Sequence, residues 1–210
     1  MKKSLDSFRL PSEYRTLCAA RQQHDRAINF FRELAAAQPE SWRAHLELSC
    51  AYVDKIPACK GVTALISRGA LAGKALEQAD LVVSNRPNLW VSYYARGINH
   101  LNWPRAFRHS EDAIKDLTRC IQIQEQHGDQ AGKHYYLHVH VALGDAYTKA
   151  GKYKEGRQAW QRGLRAFPQA NELKARLDNK DDNAQLAYVE SQRSLDKPVD
   201  TSLAFLDDER

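Results

Sequence analysis

Apolar residues recur along this chain with the spacing of helices. Ala27, Phe30, Phe31 and Leu34 fall at i, i+3, i+4 and i+7, and Ala113, Leu117, Cys120 and Ile121 at i, i+4, i+7 and i+8. Each set makes one apolar stripe on a 3.6-residue helix, with charged positions on the other faces. Breakers are few, 10 glycines and 7 prolines in 210 residues, which favours long helices over a sandwich of short strands. Where prolines occur they mark ends. Pro39, Pro87 and Pro168 each close a periodic segment, because the residue before a proline is steered away from helical geometry.

A repeat underlies the periodicity. In the segment 137–168, Leu143, Gly144 and Tyr147 fill an L-G-x2-Y pattern. Gly151 and Tyr153 lie in or beside the turn, Gly156 and Trp160 take the A-x3-F slots, and Pro168 closes the unit. Gly144 and Gly156 let two helix backbones approach, and Tyr147 and Trp160 fill the space beside them. Gly151 suits a left-handed helix end. His140 stands where the pattern usually has tryptophan.

Looser copies precede it. Leu48, Ser49 and Tyr52 match the first-helix pattern with serine for glycine and His45 in the tryptophan slot, followed by Ala75, Ala79 and Pro87. Tyr52 to Ala75 spans 23 residues, against 9 from Tyr147 to Gly156, implying an insertion of 14 over roughly Lys55–Arg68. Trp90–Leu101, with Tyr93, Gly97 and His100 in the pattern, pairs with Glu111–Gln124, where Ala113, Leu117 and Cys120 hold the small and apolar slots. Gly97 to Ala113 is 16 residues, against 12 from Gly144 to Gly156, so an insertion of 4 falls near Trp103–His109, which contains Pro104. Nearest the start, Ala27, Phe31 and Pro39 have second-helix spacing, and Tyr14–Gln23 is the expected partner.

These motifs resemble the tetratricopeptide repeat (TPR) family over about residues 12–168. The resemblance implies an all-α fold: a TPR-like superhelical array of antiparallel helix pairs, here with two enlarged intra-repeat turns and a C-terminal capping helix. The expected domains are a repeat domain over 1–170, a helical charged cap over 171–194, and an extended acidic tail over 195–210 that contains Pro198.

The resemblance also implies a function. Stacked units form a concave groove, lined by first helices, that holds a peptide or partner segment. Outward positions of those helices give the expected partner-binding residues: Arg43, Glu47 and Asp54, then Tyr94, Ile98 and Asn102, then His138, Asp145 and Lys149. The expected role is a non-catalytic adaptor or assembly factor. The alternative is a small ligand, metal or nucleic acid held by the groove and the inserted loops.

Composition narrows this reading. The net charge is +5, yet residues 171–210 carry 6 Lys+Arg and 10 Asp+Glu, a balance of −4, which leaves +9 on the rest. An acidic tail on a basic body suggests that Leu203, Phe205 and Leu206 dock into the chain's own groove or a neighbour's, so self-association stays open. Residues 93–109 interleave arginines with aromatics, as nucleic-acid surfaces do, but a basic loop between TPR helices has the same content, and no nucleic-acid partner is expected.

His134 and His138 share a helix face at i, i+4 and could reach one ion. Tyr135 follows His134, so there is no HExxH, and neither metal nor cofactor is expected. Cys18, Cys50, Cys59 and Cys120 form no CxxC and read as reduced, mostly buried thiols. No glycine-rich phosphate loop or nucleophile elbow appears, so no enzyme activity is expected. Without an apolar leader or a run of about 18 apolar residues, the expected location is cytoplasmic, with no membrane contact.

Overall fold

The computed structural model describes residues 7–126, 135–194, 196–204 and 207. Among them the fold is all-α. In chain order the helices are α1 (Arg9–Ala20), α2 (His24–Ala37), α3 (Trp42–Lys55), α4 (Ala64–Asn85), α5 (Trp90–Asn102), α6 (Ser110–Gln126), α7 (Tyr135–Lys149), α8 (Tyr153–Ala166), α9 (Asn171–Leu177) and α10 (Asp182–Gln192). The chain forms two compact units. The first contains the chain to Pro87 together with the segment from Leu195, and the second runs from Asn88 to Ser194.

In the first unit, α2 packs on α3, α3 on α4, and α1 touches both α2 and α3. Cys18, Ile28, Phe31, Leu48, Tyr52 and Ala75 make the core. Burial of each large side chain there contributes on the order of 1.5–3 kcal/mol. Ser41 begins α3 by accepting a hydrogen bond from the Ala44 amide at 3.4 Å. The insertion after Tyr52 is spent in two ways. Ile56–Ala58 forms a 3₁₀ turn, and α4 grows to 22 residues against 14 in α8.

In the second unit, α5 pairs with α6, α6 with α7, and α7 with α8, while α5 also touches α7. The most regular pair is α7–α8. A Cβ on Gly144 would lie 2.1 Å from Trp160 Nε1, so the tryptophan ring sits directly on the α7 backbone. Trp160 is fully buried and donates from Nε1 to the Val141 carbonyl at 3.1 Å. Gly151 ends α7 at φ +80°, in the left-handed region that glycine enters without steric penalty. The Lys152 amide then reaches the Tyr147 carbonyl at 2.9 Å. Phe167 ends α8 just before Pro168.

The inserted residues 103–109 carry a 3₁₀ turn, Arg105–Phe107, and then Arg108 at φ +58°. The segment 171–194 is helical in two pieces, α9 and α10. Asp181 starts the second by accepting from the Ala184 amide at 2.8 Å. Arg176 on α9 and Gln185 on α10 both reach α7. Cys18, Cys50 and Cys120 are buried, Cys59 is partly exposed, and all four are free. Burial pushes the Cys50 thiol up to about 12. No described helix is long and apolar enough to cross a membrane.

Candidate functional site

The first unit gathers two of the predicted residues around one that the sequence reading missed. Arg15, on α1, is almost wholly buried, with its side chain 2% exposed. It donates from Nε to Glu47 at 2.7 Å and from Nη1 to Asp54 at 2.7 Å, both on α3. Burial works against the Arg15 charge, but Cys50, Glu47 and Asp54 outweigh it and hold the guanidinium above its already high ordinary pKa. Burial raises the Glu47 carboxyl against the pull of Arg15, and Glu47 Oε1 has no hydrogen-bond partner among the described residues.

The remaining Arg15 donors hold the tail. Nη1 reaches Thr201 Oγ1 at 2.6 Å and Nη2 reaches the Thr201 carbonyl at 2.8 Å. The Thr201 hydroxyl in turn donates to Asp54. Two residues on, the Leu203 amide donates to Ser12 Oγ at 3.0 Å, and Leu203 is buried. Asp207 Oδ2 then accepts from the Phe8 amide at 2.7 Å, the Arg9 amide at 2.8 Å and the Ser7 hydroxyl at 2.7 Å. A carboxylate on the first amides of α1 satisfies donors that a helix start leaves open and suits the positive end of its dipole. Further back, Asp196 pairs with Arg68 at 2.7 Å and Lys60 at 3.3 Å. The tail is thus read through a backbone carbonyl, a backbone amide, one apolar side chain and three polar ones. Phe205 and Leu206, also expected to dock, lie outside the described residues.

Arg43, the third predicted residue of this unit, lies over the Phe8 ring at 4.6 Å and the Trp42 ring at 5.2 Å. It stands beside the start of α1 rather than on Arg15.

In the second unit the predicted residues scatter. Asp145 is fully buried and takes Arg176 Nε at 2.6 Å, Arg176 Nη2 at 3.0 Å and Arg193 Nε at 2.9 Å. Lys149 is buried, and its Nζ donates to the carbonyls of Leu101 at 2.6 Å and Trp103 at 2.7 Å. Burial, helped by Arg193, pushes the Lys149 pKa down to about 8. Both side chains are buried and held by the chain itself.

Asn102 donates back to the Ile98 carbonyl at 2.8 Å, Ile98 is buried, and Tyr94 sits 5.8 Å from the Trp90 ring. His138 is exposed and lies 3.7 Å from Glu172. Its proposed companion His134 lies outside the described residues. His140 fills the tryptophan slot, buried against Gly163.

Arg15, Ser12, Arg176 and Arg193 escaped the sequence reading. The signal for Arg15 was weak: a basic residue in a helix whose neighbour carries two acids on one face, Glu47 and Asp54. Nothing local to Thr201 or Asp207 pairs them with residues about 190 positions away.

The geometry is that of a TPR-like helical repeat fold, and comparison with solved proteins agrees. The chain is similar to the protein in "Crystal structure of MamA", a TPR-containing protein, at a TM-score of 0.56 and 16% identity, covering 90% of this chain and 88% of that one. No protein-family model matches the chain, and no curated protein does.

Proposed function

We propose that this protein is a non-catalytic scaffold that binds an extended segment of a partner protein on the α1–α3 face of its first unit. The observation that carries the proposal is the way Arg15 and Ser12 hold Thr201–Leu203. Two side chains on helices bind the carbonyl and amide of an extended chain, and a buried leucine supplies apolar contact. Main-chain contacts of this kind supply affinity and the leucine pocket supplies selectivity, as in other recognition of extended peptides. The tail is the resident ligand. A partner segment with a hydroxyl residue, a leucine two positions on and an acid four beyond that fits the same donors.

Glu47 and Asp54 take part by orienting Arg15, and Asp54 also accepts from the hydroxyl. Arg43 borders the acid-binding end. In the second unit, Tyr94, Asn102 and His138 are assigned to a secondary contact surface, while Asp145 and Lys149 serve the interior.

The test uses a fluorescent peptide with the sequence of residues 196–210 and the full chain carrying Thr201→Ala and Leu203→Asp, which release the resident tail. Anisotropy should show saturable binding at least about tenfold tighter than to the unaltered chain, whose site is filled, since internal tethering competes at millimolar effective concentration. Adding Ser12→Ala to the released chain should weaken it. Equal binding to both chains, or binding indifferent to Ser12 and Arg15, would refute the assignment.

A further inference from the structure

The inserted turn between α5 and α6 brings three metal-ligating side chains together. His100 lies in the last turn of α5, His109 just before α6, and Asp112 in the first turn of α6. One ligand atom from each lies within 4.8 Å of the other two. The two imidazoles meet at 2.8 Å between Nδ1 atoms. Such a pair needs one nitrogen to donate and the other to accept, so a single proton holds it together. A cation bound by both nitrogens can replace that proton.

The surroundings fit this exchange. Trp103 stacks on His109 at 4.3 Å between ring centroids, with 17° between planes. Trp103 is itself tethered by Nε1 to Asn99 Oδ1 at 3.1 Å. Arg108 takes a left-handed φ of +58°, a conformation uncommon for a residue with a Cβ, in the step that places His109. Burial lowers both imidazole pKa values, against the pull of Asp112 and, for His100, of Asp116. Arg96, the nearby cation, is held by both oxygens of Asp116 at 2.7 and 2.8 Å. Among the described residues, Asp112 meets Lys115 at 3.7 Å on an exposed face.

We propose that His100, His109 and Asp112 form a three-ligand site for a divalent transition-metal ion, with zinc the ion that the donor set fits best. Two imidazoles and one carboxylate leave a fourth tetrahedral position for water, as in sites that stay open. Nitrogens on one tetrahedral zinc stand about 3.3 Å apart, given bonds of about 2.05 Å. A modest turn of the partly exposed His109 ring opens the pair from 2.8 Å to that separation. The site goes beyond partner binding and lies wholly within the second unit. The four-residue insertion that departs from the regular α7–α8 pair is what supplies His109 to it.

Titration of the metal-free full chain with zinc chloride by calorimetry, with cobalt(II) as absorption probe, tests the proposal. The expected result is one equivalent bound, with cobalt showing the intense visible bands of a tetrahedral site. His100→Ala and His109→Asn should each weaken binding at least about 100-fold, and Asp112→Asn about tenfold. His138→Ala should leave it unchanged. His109→Asn lies at the surface turn, so circular dichroism on that variant separates lost ligation from lost folding. Absence of stoichiometric zinc binding by the unaltered chain would overturn the site. So would unaltered affinity in either histidine variant.

Discussion

The two units solve the same packing problem with different means. The second, at α7–α8, relies on close apolar contact: Gly144 admits Trp160, and Gly163 admits His140. Among the described residues of the first unit, no glycine is filled by a ring in this way. Gly69 and Gly73 on α4 would meet nothing with an added Cβ, and the joint between α1 and α3 is built on charge, with Arg15 between two carboxylates. The α7–α8 seam is closed by shape. The α1–α3 joint is closed by polar groups whose remaining donors hold the tail. A polar joint with donors to spare can exchange one extended segment for another, whereas a tryptophan on a glycine cannot.

The largest effects should come from breaking each joint. Trp160→Ala empties the centre of the second unit and should cost about 3–5 kcal/mol. Gly144→Ala should cost about 1–3 kcal/mol, because the tryptophan ring cannot yield. Denaturant unfolding measures both. In the first unit, Arg15→Met leaves Glu47 and Asp54 without their cation and should cost about 3–5 kcal/mol. Unlike the tryptophan change, it should also release the tail to proteolysis.

Acid should separate the units next. Burial, with Arg162 nearby, lowers the His140 pKa to about 4, against about 6.5 when unfolded. The unfolded chain therefore binds the extra proton between those values. This contribution to stability is complete above pH 6.5 and is lost as pH falls towards 4, by about 3 kcal/mol. Thermal melts across that range should show it, and His140→Leu should flatten that part of the slope. Smallest is the open space on α4: Gly73→Ala should stabilise by about 0.5–1 kcal/mol, since nothing opposes the added methyl.

The α7–α8 pair was legible because its determinants are local and peculiar in type. A glycine four residues before a proposed aromatic slot, a glycine at a helix end and a proline after one each leave a mark in sequence. The position of the α5–α6 insertion was legible from spacing alone. The site was less so. Position on a helix placed Asp145 and Lys149 on an outward face, but α9, the end of α10 and the residues around Trp103 supply partners that take them inside. Glu47 and Asp54 were expected as partner-binding residues from their helix positions, but the cation that joins them was not, because Arg15 sits in a helix that lacks the glycine signature. The opposite charges of acidic tail and basic body suggested docking, and Thr201, Leu203 and Asp207 give it an address that charge counting cannot.

Hydrogen exchange at the Leu203 amide reports whether the α1–α3 face holds the tail. That amide is buried and donates to Ser12. In the full chain it should exchange orders of magnitude more slowly than in the isolated tail peptide, and Ser12→Ala or Arg15→Met should restore fast exchange. A Leu203 amide that exchanges at the free-peptide rate in the unaltered chain would mean that the α1–α3 face does not hold the tail.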